Sequence, residues 1–167
     1  MKAIPAQAGA RVVKTAQVLI EAGRVLGVPV VVTEQYPRGL GPTVADLKTS
    51  LGDAGTIVEK TSFSCTGEPK FAEVLGALKA QGRDEIVLAG VEAHICVFLT
   101  ARDLVASGFK VFIAADGVAS RSKMNWRIGL NLATTAGAVM TNTETVLFDM
   151  LKKAGGDEFK AISALIK

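Results

Sequence analysis

Apolar positions recur along the chain in two alternating rhythms. Between residues 9 and 26, Val12, Val13, Ala16, Leu19, Ile20 and Leu26 fall near one face, at the 3.6-residue spacing of an amphipathic helix. Gly27 closes that helix, and Val28-Pro-Val-Val-Val-Thr33 follows as an apolar run of strand length. The exchange then repeats. A short helix over 44–51 precedes a strand at 56–60, a helix over 71–81 precedes a strand at 85–89, and a helix over 96–107 precedes a strand at 110–115. The pattern closes with a helix over 123–136, a short strand at 138–140, and helices over 143–153 and 158–166. Gly137 stands just past a helix end, where a left-handed cap is cheapest, and Thr143 and Asp157 are the expected N-caps of the last two helices.

Strands that are apolar throughout, separated by helices, predict an α/β fold with a parallel sheet covered on both faces. The length of 167 residues suits one domain, and no linker, low-complexity run or repeat divides residues 1–167. In such sheets ligands bind beyond the carboxyl ends of the strands. That rule points to Thr33–Tyr36, Lys60–Cys65, Gly90–Cys96, Asp116–Arg121 and Thr141–Thr143.

Composition narrows the classes without choosing among them. A hydrophobic fraction of 49% with 21% charged residues excludes a disordered chain. No stretch approaches the ~20 apolar residues of a membrane span. The net charge of +3 comes from scattered Lys and Arg; the densest group, Arg121, Lys123 and Arg127, carries one aromatic, Trp126, and reads as a solvated surface and not as a nucleic-acid face. Two cysteines cannot build a disulfide framework, and MKAIPAQAGA lacks the apolar core of a secretory signal. The expectation is a cytoplasmic protein with no membrane partner.

Two reagents stand at the predicted carboxyl edge. Cys96 follows the strand at 85–89 and opens the next predicted helix, where unpaired N–H groups and the dipole favour a thiolate and could hold an oxyanion. The bland alternative is a small buried hydrophobe in Ile95-Cys-Val-Phe98. Lys60 closes the strand at 56–60 and could lower the thiol pKa, or could be an ordinary solvated lysine at a strand end. Cys65, in Ser62-Phe-Ser-Cys65, reads as loop packing. The lone His94 could act as a base for Cys96 but reads more simply as a local hydrogen-bonding group. No paired histidine, CxxC, HExxH or phosphate loop occurs, so neither a metal nor a nucleotide cofactor is expected.

With those residues in hand, the chain resembles the isochorismatase-like cysteine hydrolases, in the branch of the isochorismatase-domain-containing proteins. Three stretches carry the resemblance: Gly27-Val-Pro-Val-Val-Val-Thr-Glu-Gln-Tyr-Pro-Arg-Gly-Leu-Gly-Pro-Thr43, Glu59-Lys-Thr-Ser-Phe-Ser-Cys65, and Leu88-Ala-Gly-Val-Glu-Ala-His-Ile-Cys-Val97. The tail from Thr141 to Lys160 is also similar. The resemblance implies a three-layer α/β/α sandwich on a mainly parallel six-stranded sheet. It further implies an Asp–Lys–Cys triad in which Cys96 is the nucleophile and Lys60 the lysine. A non-proline cis peptide is implied at Val91–Glu92, aiming the N–H of Glu92, with that of Cys96, at an oxyanion. Metal-binding relatives use histidines that the Thr33–Pro42 region lacks, so no metal and no nicotinamidase activity is expected. The first central strand and its catalytic Asp have no counterpart in this sequence, which reads as truncated at the N-terminus relative to the family. Two functions follow. One is a hydrolase of a small amide, or less readily of a vinyl ether, with Phe63, His94, Tyr36 and Trp126 as substrate-binding candidates. The other is a catalytically inactive relative that oligomerises or binds a partner. Homo-oligomers are expected from the family.

Overall fold

The computed structural model describes residues 4–167, and its elements alternate as the apolar pattern predicts. In chain order they are α1 (Ala6–Leu26), β1 (Val31–Gln35), α2 (Pro37–Leu40), α3 (Ala45–Leu51), β2 (Thr56–Lys60), α4 (Pro69–Ala80) and β3 (Glu85–Val91). There follow α5 (Phe98–Ala106), β4 (Lys110–Ala119), α6 (Lys123–Thr135), β5 (Val139–Thr141), α7 (Thr143–Leu151) and α8 (Gly156–Leu165). All strand pairs are parallel: β1 with β2, β3 with β4, and β4 with β5.

Helices cover both faces. Phe71 and Leu75 of α4, Ala101 and Leu104 of α5 and Ala133 of α6 pack on Val111, Ile113 and Val118 of β4 and on Val58 of β2. On the other face Val12 of α1 meets Ala119, and Ala22 of α1 meets Leu147 of α7 and Ile162 of α8. Leu104, Ile113, Leu147 and Ile162 are wholly removed from solvent, each contributing roughly 1.5–3 kcal/mol of transfer free energy.

The strands form two sheets, β1-β2 and β3-β4-β5. Among the described residues, β1 and β3 are therefore each hydrogen-bonded on one edge only. The exposure of β3 agrees: Val87 is 39% exposed, whereas a strand inside a covered parallel sheet is buried on both faces.

Several boundaries differ from the sequence reading, each for a local reason. The first strand starts at Val31 and not at Val28, because Pro29 has no N–H to give a ladder and the Val28 N–H turns back to Gly23. It runs on to Gln35, paired with Lys60. The fourth strand does not stop at Asp116. It bulges, so that Leu88 faces Ile113 but Gly90 faces Val118, and continues to Ala119. The Asp116 carboxylate meanwhile accepts the N–H of Thr143. Asn142, not Thr143, caps α7, accepting from the Thr145 N–H at 2.8 Å. Asp157 lies inside the first turn of α8, which Gly155 precedes as cap. Gly137 does adopt the left-handed conformation, with φ of 100°.

Candidate active site

Three strand ends and one turn supply the site. β2 ends at Lys60, whose side chain is only 4% exposed. The bland alternative of a solvated lysine is therefore ruled out. Its ammonium donates to the side-chain oxygen of Gln35 at 2.5 Å, to the carbonyl of Ser62 at 2.8 Å and to that of Phe63 at 3.0 Å. A lysine has three N–H donors, so all three are used. Gln35 stands opposite Lys60 in the β1–β2 register, and its amide N–H donates to the carbonyl of Thr61 at 2.7 Å.

Cys96 departs from its predicted setting. It does not open an α-helix; it lies inside a π-helical turn, Ala93–Val97, that precedes α5. The Val97 N–H reaches back to the Glu92 carbonyl, spanning five residues. The thiol is free and half-buried. Burial pushes its pKa above the ordinary value; the charge of Lys60 pulls the other way, while Cys65 adds to the rise. A hydrogen bond from the Glu92 backbone amide also favours the thiolate, and the Glu92 carboxylate opposes it. The net direction is upward, the reverse of what a helix N-terminus would give, because desolvation exceeds the opposing charge.

The turn is held from three sides. The peptide Val91–Glu92 is cis, at the position the resemblance implies. The Glu92 carboxylate accepts the Arg121 backbone N–H at 2.9 Å and its guanidinium at 2.6–3.2 Å. The guanidinium holds the Glu92 carboxyl below the ordinary carboxylate value. His94 meets the Ser120 hydroxyl through Nδ1 at 3.1 Å, the local bond that its bland reading expects. Gly129 of α6 presses against the turn so closely that a Cβ there would lie 2.5 Å from the Ala93 carbonyl carbon. Cys65 is held by other partners, donating its N–H to Thr100 Oγ1 at 2.9 Å, with its sulfur 3.5 Å from Thr33 Oγ1.

A cavity of about 350 Å³ is lined by Tyr36, Pro37, Arg38, Glu59, Lys60, Thr61 and Glu68. It brings together two of the predicted residues, Tyr36 and Lys60. Tyr36 adopts φ of 42°, its ring lying over Gly39, where a Cβ would come within 2.3 Å of it. Phe63 is 61% exposed and adds its carbonyl to the Lys60 cage. Cys96 and His94 are not among this cavity's lining residues. Trp126 packs against the main core, with its indole N–H buried and without a partner among the described residues. Gln35, Ser120 and Arg121 fall in the strand-end stretches that the sequence points to, but Arg121 reads there as solvated surface, and none of Gln35, Ser120 and Gly129 is given a role. Gln35 becomes visible only once the register pairs it with Lys60.

The family is decided by comparison. The isochorismatase domain family matches residues 5–145. The chain belongs to that family. Isochorismatase domain-containing protein 1 of Danio rerio is 38% identical over 156 residues, covering 93% of this chain and 53% of that protein. The chain thus spans about half the length of that relative. Among solved structures, one described as the MAR1 ribonuclease of Caenorhabditis elegans is 34% identical, covers 94% of this chain and 79% of its own, and superposes with a TM-score of 0.86. The YcaC gene product of Escherichia coli, described as an octameric hydrolase of unknown specificity, shares the fold at 20% identity and a TM-score of 0.85, covering 98% of this chain and 77% of its own. The α/β architecture and membership of the isochorismatase domain family are therefore established. No described helix is long and apolar enough to cross a membrane, and among the described residues no cluster of three His, Cys, Asp or Glu residues is placed to hold a metal.

Proposed function

We propose that the protein is a cysteine-dependent hydrolase of a small amide, with Cys96 as nucleophile and Lys60 as activating cation. The backbone N–H groups of Glu92 and Cys96 are the proposed oxyanion donors. The observation that carries this reading is that a buried Lys60 ammonium at the end of β2 and a free, half-buried Cys96 thiol just past β3 both lie at the carboxyl edge, where the lysine charge favours the thiolate. The thiolate adds to the amide carbonyl carbon, the oxyanion collapses, and the C–N bond breaks as the nitrogen takes a proton and leaves as amine. Water then cleaves the thioester, releasing the acid and restoring the thiol. Both proton transfers call for a carboxylate. The family resemblance gives that role to an Asp, and no residue of 4–167 is assigned it.

Tyr36 and Phe63 are the proposed substrate contacts, since they are exposed beside Lys60. His94 and Trp126, the other two candidates, already hold the Cys96 turn and the core. We further propose a cytoplasmic homo-oligomer that needs no cofactor and has no nucleic-acid or membrane partner. Exposed Met124, Ile128 and Leu132, spaced by four along α6, support self-association.

The test is ammonia or amine release from a panel of small amides by the wild type, Cys96→Ser and Cys65→Ser. Activity lost in C96S and kept in C65S supports the assignment. Cleavage of an RNA oligonucleotide instead would contradict it. A second reading, an inactive oligomeric relative, is favoured by the upward shift of the Cys96 thiol. It predicts no turnover of any panel member together with a stable oligomer in light scattering.

A further inference from the structure

We infer that Gln35 is a positioning residue, whose side-chain oxygen completes a closed cage of acceptors around the Lys60 ammonium and so fixes that lysine as a stationary charge. The inference rests on the proposed pairing of Lys60 with Cys96 and adds to it a residue and a mode of action. The cage consists of the Gln35 side-chain oxygen and the Ser62 and Phe63 carbonyls. With every N–H engaged, Lys60 has no donor left for a substrate carbonyl and no proton path to a leaving group. It acts on Cys96 through its field alone. Gln35 in turn cannot swing away, because its amide N–H is tied to the Thr61 carbonyl and its backbone pairs with Lys60. A buried, flexible four-carbon side chain loses its orientation when one of three ligands is removed, and the charge then relaxes away from the sulfur.

The experiment measures the rate of iodoacetamide alkylation of Cys96 against pH in a Cys65→Ser background. It compares the parent with Gln35→Met, Lys60→Met and the double variant. K60M sets the full loss of the field. Q35M is expected to raise the alkylation midpoint by about half to one pH unit, slowing the reaction below the midpoint roughly three- to tenfold. The double variant is expected to match K60M alone. Gln35→Asn, one methylene shorter, is read in the same way should Q35M fail to fold. A shift in K60M with none in Q35M overturns the role of Gln35 and leaves the Lys60–Cys96 pairing standing. A Q35M effect that persists undiminished in K60M shows a route that bypasses the lysine, and also overturns the role. No shift in K60M overturns both this inference and the reading beneath it.

Discussion

Replacing Gly129 by Ala tests whether α6 sets the position of the Cys96 turn. The new Cβ would lie 2.5 Å from the Ala93 carbonyl carbon and the His94 nitrogen, and 2.6 Å from the Ala93 oxygen. Unstrained carbon contacts lie near ~3.5–4.0 Å, so roughly 1 Å must be recovered. All three obstructing atoms are backbone, so no side chain can rotate out of the way. α6 cannot simply retreat either, since Ala133 is fully buried one helical turn on and Ser122 caps the start of the helix. Overpacking of this kind costs about 1–3 kcal/mol. Ala is the better helix former and returns about 0.8–1 kcal/mol. The expected net loss is up to about 2 kcal/mol, or a fall of up to roughly 8 °C in Tm for a chain of this size. The alkylation rate of Cys96 should change by a larger factor than that of Cys65, which is held separately through Thr100. A Tm that stays level or rises, with the ratio of the two alkylation rates unchanged, would refute the close packing of α6 on the turn.

Other consequences can be checked with the same preparations. The Glu92 carboxyl lies below its ordinary value because of Arg121, so its stabilisation is complete above the unfolded carboxylate value, about pH 4.3, and is lost as pH falls through the lower native value. Glu92→Gln should accordingly flatten the acid limb of a Tm-against-pH curve, and an unchanged limb would count against the clamp. Asn142→Ala removes the α7 cap and should cost about 1 kcal/mol in urea unfolding, whereas Thr143→Ala should not act through capping. The Thr143 hydroxyl is buried without a partner among the described residues, so Thr143→Val should leave Tm level or raise it; a clear fall would reveal a hydrogen bond to water at that hydroxyl.

The alternation of elements was legible because apolar strands and amphipathic helices have different periods, and the glycines after Leu26 and Ala136 marked helix ends. Cys96 and Lys60 were legible as residues at strand ends, and the resemblance to isochorismatase-like hydrolases implied the roles proposed for them. The electrostatics of Cys96 were not legible. A π turn has no simple period, so Cys96 read as a helix N-terminal residue, and the desolvation that raises its pKa depends on packing from distant elements. The burial of Lys60 was not legible for the same reason, since its acceptors come from β1 and from two backbone carbonyls. Gln35, Arg121 and Gly129 lie 25, 29 and at least 35 positions from the groups they hold, distances that only the register and the helix packing close.

The most direct test of Cys96 as the nucleophile is intact-mass and peptide mapping after brief exposure to p-nitrophenyl acetate. Its phenolate departs without a proton, so the acylation step is seen whether or not a carboxylate is present to assist. The account predicts one acetyl group, mapped to Cys96, formed faster in the wild type than in Lys60→Met. An unmodified Cys96, or acetylation confined to Cys65 or surface lysines, would contradict it.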